Sequence, residues 1–266
     1  MLLIYLFIGL IAGFLGGLFG IGGGVIVVPA LILLFEFATP SDLQSTSTAT
    51  IVLLVVGTSM ASIIFTAGSA AFTQYHKQNL DWRVVRDWVP LLAVGALIAS
   101  CVAEFLPVAA IKVLIGLVLV GSSVLLMFNL FPNSNNRLPS KIQRFSVSTV
   151  GGFISGLVGL GGGNIVVPTL IYFNYQMKTA VAVATVGAFC IALFATLGYV
   201  LTGLDLEVSN SFGYVYIPAL IPIALTNLVA APLGVQLGHR LPSVIFRRSF
   251  GVVMFVIALR MFYSVF

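Results

Sequence analysis

The sequence predicts an all-α polytopic membrane protein made of two inverted repeats, each a re-entrant or broken helical hairpin followed by three transmembrane helices. Three observations carry that prediction. Of the 266 residues, 60% are apolar and 7% charged, with a mean hydropathy of +1.16, whereas soluble domains carry about 25% charge. Apolar runs of roughly 20 residues, long enough to cross a bilayer as helices, fill the chain. Residues 13–32, GFLGGLFGIGGGVIVVPALI, return at 152–171 as GFISGLVGLGGGNIVVPTLI, identical at 14 of 20 positions with an offset of 139. Duplicated halves are a common plan of secondary transporters.

The duplication orders the elements. Residues 1–266 read as a single transmembrane domain, with a first repeat over 1–131, a cytoplasmic linker over 132–144 (PNSNNRLPSKIQR, the most polar stretch) and a second repeat over 145–266. Polar interruptions cut the first repeat into an apolar run at 2–19, a glycine break, a short piece at 29–36 and long segments near 46–72, 88–104 and 108–131. They cut the second into 145–159, its break, 168–175, and long segments near 179–203, 213–238 and 243–266. Downstream of the motif an offset of 135 sets Thr50 on Thr185, Gly68 on Gly203, Pro107 on Pro242 and Gly116 on Gly251. The opening run MLLIYLFIGLIAGF lacks the basic stretch of a signal peptide and runs into the repeated motif, so it reads as retained structure. Cys101 and Cys190 fall inside apolar segments, where they act as small hydrophobes.

Orientation follows from basic loops. Lys77, Arg83 and Arg86 fall in 73–87, Arg137, Lys141 and Arg144 in 132–144, and Arg240, Arg247 and Arg248 in 239–248, so all three loops are expected in the cytoplasm. The broken segment and two long helices separate the second loop from the third, so the broken segment must enter and return. The second repeat then begins on the side opposite the first. The N-terminus, the 36–45 loop, the C-terminus and the acidic Glu36, Asp42, Asp205 and Glu207 are placed outside, and the loop around Lys178 inside. The net charge of +5 is thus spent on orientation. No nucleic-acid partner is expected; the lipid bilayer and a small anionic substrate are.

Each break sets three glycines ahead of a β-branched run and a proline: Gly22, Gly23 and Gly24 before Pro29, and Gly161, Gly162 and Gly163 before Pro168. Glycine costs about 1 kcal/mol per helical position against alanine, a residue before proline is pushed out of the α region, and proline suits a first helical turn. Residues 22–28 and 161–167 are therefore expected to be irregular, with short helices starting near Pro29 and Pro168. Irregular backbone at membrane depth is tolerated only where protein or a polar cavity satisfies it. Bare N–H groups backed by the positive end of a helix can hold a small anion without side-chain charge. The expected substrate-binding set is Gly22, Gly23, Gly24 and Val25 from one break, Gly161, Gly162, Gly163 and Asn164 from the other, and Thr50 (beside Ser47 and Thr48), Thr185 and Asn227. Asn227, a mid-helix amide, reads equally well as an interhelical hydrogen bond. The earlier GxxxG pairs Gly9/Gly13, Gly13/Gly17, Gly16/Gly20 and Gly152/Gly156 are expected to serve close helix packing. No Lys-Ser/Thr follows the triplets, which excludes a nucleotide loop.

A GxGGG followed by VP-x-L, once near the start of each half, resembles the TauE/SafE family of sulfite exporters, also called toluene sulfonate uptake permeases. The matching residues are Gly20, Gly22, Gly23, Gly24, Pro29 and Leu31, and again Gly159, Gly161, Gly162, Gly163, Pro168 and Leu170. The resemblance spans nearly the whole chain. It implies a secondary transporter of a small sulfur-containing anion (sulfite, thiosulfate or an organosulfonate), in bacteria at the cytoplasmic (inner) membrane; an anion channel or a carboxylate transporter on the same scaffold is the alternative.

Catalysis is not expected, nor a metal or cofactor. His76 and His239 lie in loops, no carboxylate sits mid-helix, and no metal-ligand spacing occurs. For energy coupling the chain offers Glu104 at a helix end and Arg260. Charge moving with the anion, or a proton carried by the substrate itself, would need no protein carboxylate.

Overall fold

The computed structural model describes residues 1–20, 22–128 and 139–238, with 251, 252, 255, 256, 258, 259 and 262. Helices α1 (Leu2–Phe19) and α2 (Gly24–Phe37) form a first hairpin, and a 3₁₀ turn (Ser41–Leu43) leads to α3 (Thr48–His76), α4 (Trp82–Val102) and α5 (Val108–Phe128). Helices α6 (Lys141–Val158) and α7 (Gly163–Tyr172) form a second hairpin. After α8 (Met177–Thr202) comes a ribbon of β1 (Ser211–Phe212) and β2 (Val215–Tyr216), then α9 (Ile217–Gly238). The ribbon is antiparallel, with Ser211 opposite Tyr216. Among the described residues six helices, α1, α3, α4, α5, α8 and α9, are long and apolar enough to cross a membrane. The protein is an all-α polytopic membrane protein.

Local chemistry sets the ends. Ser47 caps α3 by accepting from the Thr50 N–H, Asp81 caps α4 through the N–H groups of Arg83 and Val84, and Ser140 with Gln143 closes a capping box on α6. Gly20 and Gly159 end α1 and α6 in the left-handed conformation.

The two ends of the bundle differ in charge. At one, Asp42 accepts from Tyr216 and Asn210, Glu36 pairs with Lys112, and the α8–α9 connection carries Asp205 and Glu207. At the other, Arg144 pairs with Asp87 near Lys77, Arg83, Arg86 and Lys141. The first hairpin opens at the acidic end, where Asp42, just past α2, lies within electrostatic reach of Tyr5 near the start of α1. The second opens at the basic end, where Phe173, just past α7, packs on Trp88 in the first turns of α4 (ring centroids 5.9 Å apart).

Packing between the halves is reciprocal. α3 crosses α8 at the centre, α1 packs on α9, and α6 on α4. Side chains that would block these approaches are absent. A Cβ on Gly13 would lie 2.8 Å from the Asn227 Cα, and one on Gly17 would meet the Ala231 backbone; one on Gly152 would meet Leu92, and one on Gly156 would lie 2.9 Å from the Ala96 carbonyl. The small-residue spacing thus serves helix contact, the role van der Waals packing demands where lipid supplies no hydrophobic drive.

Three expectations are corrected. The short helices begin at Gly24 and Gly163, not at Pro29 and Pro168, so each break spans four residues (20–23 and 159–162). Val25, Val27 and Val28 are buried, and packing outweighs the weak helix propensity of the β-branched run; each proline, one and a half turns in, forfeits only one intrahelical bond. Second, α3 corresponds to α8 at an offset of 125: Val56 and Val181 approach Gly159 and Gly20 alike, and Ile63 and Ala188 flank Gly22. Thr185 therefore corresponds to Met60, not Thr50; the offset of 135 holds further on, where it sets Gly116 on Gly251 and Met127 on Phe262, and Gly116 adjoins Phe262 as Gly251 adjoins Met127. Third, the 213–238 segment begins as β-ribbon, with its helix starting at Ile217, and α6 begins within the linker at Lys141. Residues 129–138, His239, the basic loop with Arg240, Arg247 and Arg248, and Arg260 lie outside the described residues.

Candidate functional site

The two breaks repeat one backbone geometry. φ is +69° at Gly20, +81° at Gly22 and +77° at Gly23, against +75° at Gly159, +71° at Gly161 and +80° at Gly162. L-residues pay about 1–2 kcal/mol to enter that region, which accounts for glycine at these six places. The breaks also touch. A Cβ on Gly22 would stand 3.5 Å from the Gly161 Cα, and one on Gly24 would run into the Gly159 carbonyl oxygen and lie 3.0 Å from the Leu160 Cα.

Backbone donors converge there. The first intrahelical bonds of α2 run from Ile26 and Val27 to the Gly23 carbonyl (3.0 and 3.2 Å), and those of α7 from Ile165 and Val166 to the Gly162 carbonyl (3.0 and 2.9 Å). The N–H groups of Gly24, Val25, Gly163 and Asn164 precede those bonds and have no acceptor within their own helix. The Gly159 carbonyl, at the negative end of α6, stands beside the positive end of α2 and accepts a hydrogen bond from the Ser59 hydroxyl (2.9 Å).

The expected site residues divide into three groups. Gly22, Gly23, Gly24, Val25, Gly161, Gly162, Gly163 and Asn164 all sit at the meeting of the breaks, and the Asn164 Nδ2 is buried with no partner among the described residues. Thr185 adjoins Gly20, but its hydroxyl donates to the Val181 carbonyl of its own helix (2.7 Å). Asn227 lies one helix away: its Nδ2 donates to the Ser62 carbonyl (3.3 Å), and its Oδ1 packs against Gly13. Thr50 belongs elsewhere. It sits in the first turn of α3, bonded to Ser47, about 20 Å along the helix from Ile63 at the break.

Sequence reading missed a buried stripe on α3. Thr58, Ser62 and Thr66 recur every fourth residue and share one face, with Ser59 beside them, and all are at most 1% exposed. Thr58 accepts from the Tyr216 N–H (2.8 Å), Ser62 donates to the Ser59 carbonyl (2.8 Å), and Thr66 donates to the Ser62 carbonyl (3.2 Å) and approaches Gly23. The i, i+4 recurrence of hydroxyls in an otherwise apolar segment was the available signal.

The sequence matches the sulfite exporter TauE/SafE family over residues 5–261. The chain belongs to that family. Among relatives of this TauE/SafE chain, a probable membrane transporter protein of Haemophilus influenzae is 26% identical, the match covering 98% of each chain. The probable membrane transporter protein MJ0441 of Methanocaldococcus jannaschii is 27% identical over 88% of this chain and 85% of its own. The probable membrane transporter protein YunE of Bacillus subtilis is 25% identical over 74% and 77%.

Proposed function

We propose that this protein is a secondary transporter, not an enzyme, that moves a small sulfur-containing oxyanion of the sulfite, thiosulfate or organosulfonate class across a bacterial cytoplasmic membrane. In this reading the halves are inverted repeats, the basic end faces the cytoplasm, and the substrate binds where the breaks meet. One observation carries it: two breaks with matching left-handed glycines abut, each opening a helix whose first N–H groups lack intrahelical acceptors. The Gly159 carbonyl beside α2 stands where an anion oxygen would stand, so the present arrangement is the closed one, and a solute enters as the breaks part. A cage of neutral donors binds an anion while leaving it free to depart, which a fixed cation at that depth would oppose. Broken helices flanking a shared mid-membrane site, with rocking of one half against the other, provide alternating access.

The test is flux of labelled sulfite, thiosulfate and an organosulfonate into proteoliposomes holding the purified protein. Saturable uptake that supports counterflow is expected. Uptake that never saturates would favour a channel, flux confined to carboxylates would shift the substrate class, and no flux of any oxyanion from a folded protein would overturn the reading.

A further inference from the structure

We propose that Asp42 and Tyr216 form a gate over the acidic end, and that the α3 stripe of Thr58, Ser62 and Thr66 beneath it is the half-path this gate closes. The idea rests on the transporter reading above, whose site it extends toward one face of the membrane. Asp42 sits on the 3₁₀ turn that joins the first hairpin to α3. The Tyr216 hydroxyl donates to both of its carboxylate oxygens (3.0 and 2.9 Å), and the Asn210 Nδ2 donates to Oδ2 (3.3 Å). The partners belong to different halves, so a shift of one half against the other breaks the contact.

Tyr216 joins the 3₁₀ turn to α2 and α3 at this mouth. Its ring lies edge-on to Phe35 of α2 (centroids 5.9 Å apart, planes at 90°), and its N–H reaches Thr58 of α3. Burial, and then the hydrogen bond to Asp42, hold its phenol above the ordinary tyrosine value, so it remains a donor. Tyr5 of α1 contributes a second buried phenol, with no partner among the described residues. The ribbon that carries Tyr216 is peculiar to the second half: α8 and α9 are joined by residues 203–216, whereas α3 and α4 are joined by 77–81. Among the described residues, the α3–α4 connection at the basic end carries no equivalent strap.

Below the strap the hydroxyls lead to the glycine break. Thr58 lies under Tyr216, Ser62 one turn deeper beside Asn227, and Thr66 a further turn on beside Gly23. Among the described residues the Ser62 and Thr66 hydroxyls bond carbonyls of their own helix, bonds that can be exchanged for a solute or water at little cost. Packing alone would be served by alanine or valine at these depths, and the polar face gives the half-path a lining once the gate swings away.

The gate is tested by thiol accessibility, which needs no knowledge of the substrate. Ser62→Cys is introduced with Cys101→Ala and Cys190→Ala, and a membrane-impermeant thiosulfonate is added to either face of the vesicles. Slow labelling is expected with the gate intact. Asp42→Ala and Tyr216→Phe should each raise the labelling rate at least tenfold, from the acidic-end face alone. Thr66→Cys repeats the measurement should Ser62→Cys fold poorly, and Tyr216→Phe removes a single hydroxyl and so spares the fold. An unchanged rate in either gate variant, or equal acceleration from both faces, overturns the proposal. Absence of oxyanion flux would instead count against the substrate assignment and leave the labelling result standing.

Discussion

Gly23 and Gly162 show how two constraints coincide at one position. Each has a left-handed φ, and a Cβ on Gly23 would sit 2.9 Å from the Ala12 carbonyl oxygen, while one on Gly162 would press to 2.5 Å from Ile191. Gly23→Ala and Gly162→Ala are each expected to destabilise the protein by about 1–3 kcal/mol, seen as a lower unfolding midpoint in detergent. Gly121→Ala is the control. Among the described residues no atom outside its own helix backbone lies within 4 Å of its added methyl, and it should be neutral or up to about 1 kcal/mol stabilising through helix propensity. Asn227 separates two roles. Loss of its bond to the Ser62 carbonyl in Asn227→Ala should cost about 0.6–2 kcal/mol of stability; a rise in KM larger than that loss explains would place the amide in contact with substrate.

The helices are tied at their ends by ion pairs of unequal weight. Glu36 at the end of α2 meets Lys112 in the first turns of α5 at 3.4 Å, and Lys112 is buried. Glu36→Gln leaves that ammonium less well compensated, at an expected cost of about 1–3 kcal/mol. Arg144 and Asp87 join α6 to α4 with Asp87 about half exposed and Arg144 partly so, so Asp87→Asn should cost less than about 1 kcal/mol. Thermal unfolding of the two variants at matched salt gives the comparison, and equal losses would mean that Glu36 faces more water than its contact with Lys112 implies. The hairpins are held otherwise, by glycine-mediated approach of α1 to α9 and of α6 to α4, where neither lipid nor water competes for the contact.

Across the bundle, each break is met by a helix of the other half: Val181 of α8 approaches Gly20, and Val56 of α3 approaches Gly159. Ile63 of α3 and Ala188 of α8 both lie within 3.5 Å of the point where a Gly22 Cβ would be. Transport by rocking requires that junction to open. Cysteines at Ile63 and Ala188, bridged by a short bifunctional thiol reagent, should arrest flux, and cleavage of the bridge should restore it; full activity with the bridge in place would mean that the breaks do not part. The same reciprocity explains why one motif occurs twice while the rest of the repeat diverged. Both breaks present the same left-handed turns to each other, whereas the connections outside them differ in length, 77–81 between α3 and α4 against 203–216 between α8 and α9.

Composition, the duplicated glycine motif and the basic loops were enough to read the membrane-spanning helical class, the broken hairpins and the family, because hydropathy and left-handed glycines are local properties of the chain. Residues 20–23 and 159–162 were legible as breaks for that reason. The starts of α2 and α7 were not: an Ile-Val-Val run ahead of proline is a poor helix in isolation, and packing on α1 and α3 for α2, and on α6 and α8 for α7, makes it one. Nor could the pairing of Thr185 with Met60 be read, since it depends on where loops of unequal length let α3 and α8 cross. Asp42 appeared in the sequence as an ordinary loop acid and Tyr216 as an ordinary aromatic; their contact across 174 residues exists because the two halves fold against each other. Long-range partners of this kind carry no local signature, and tertiary packing alone decides them.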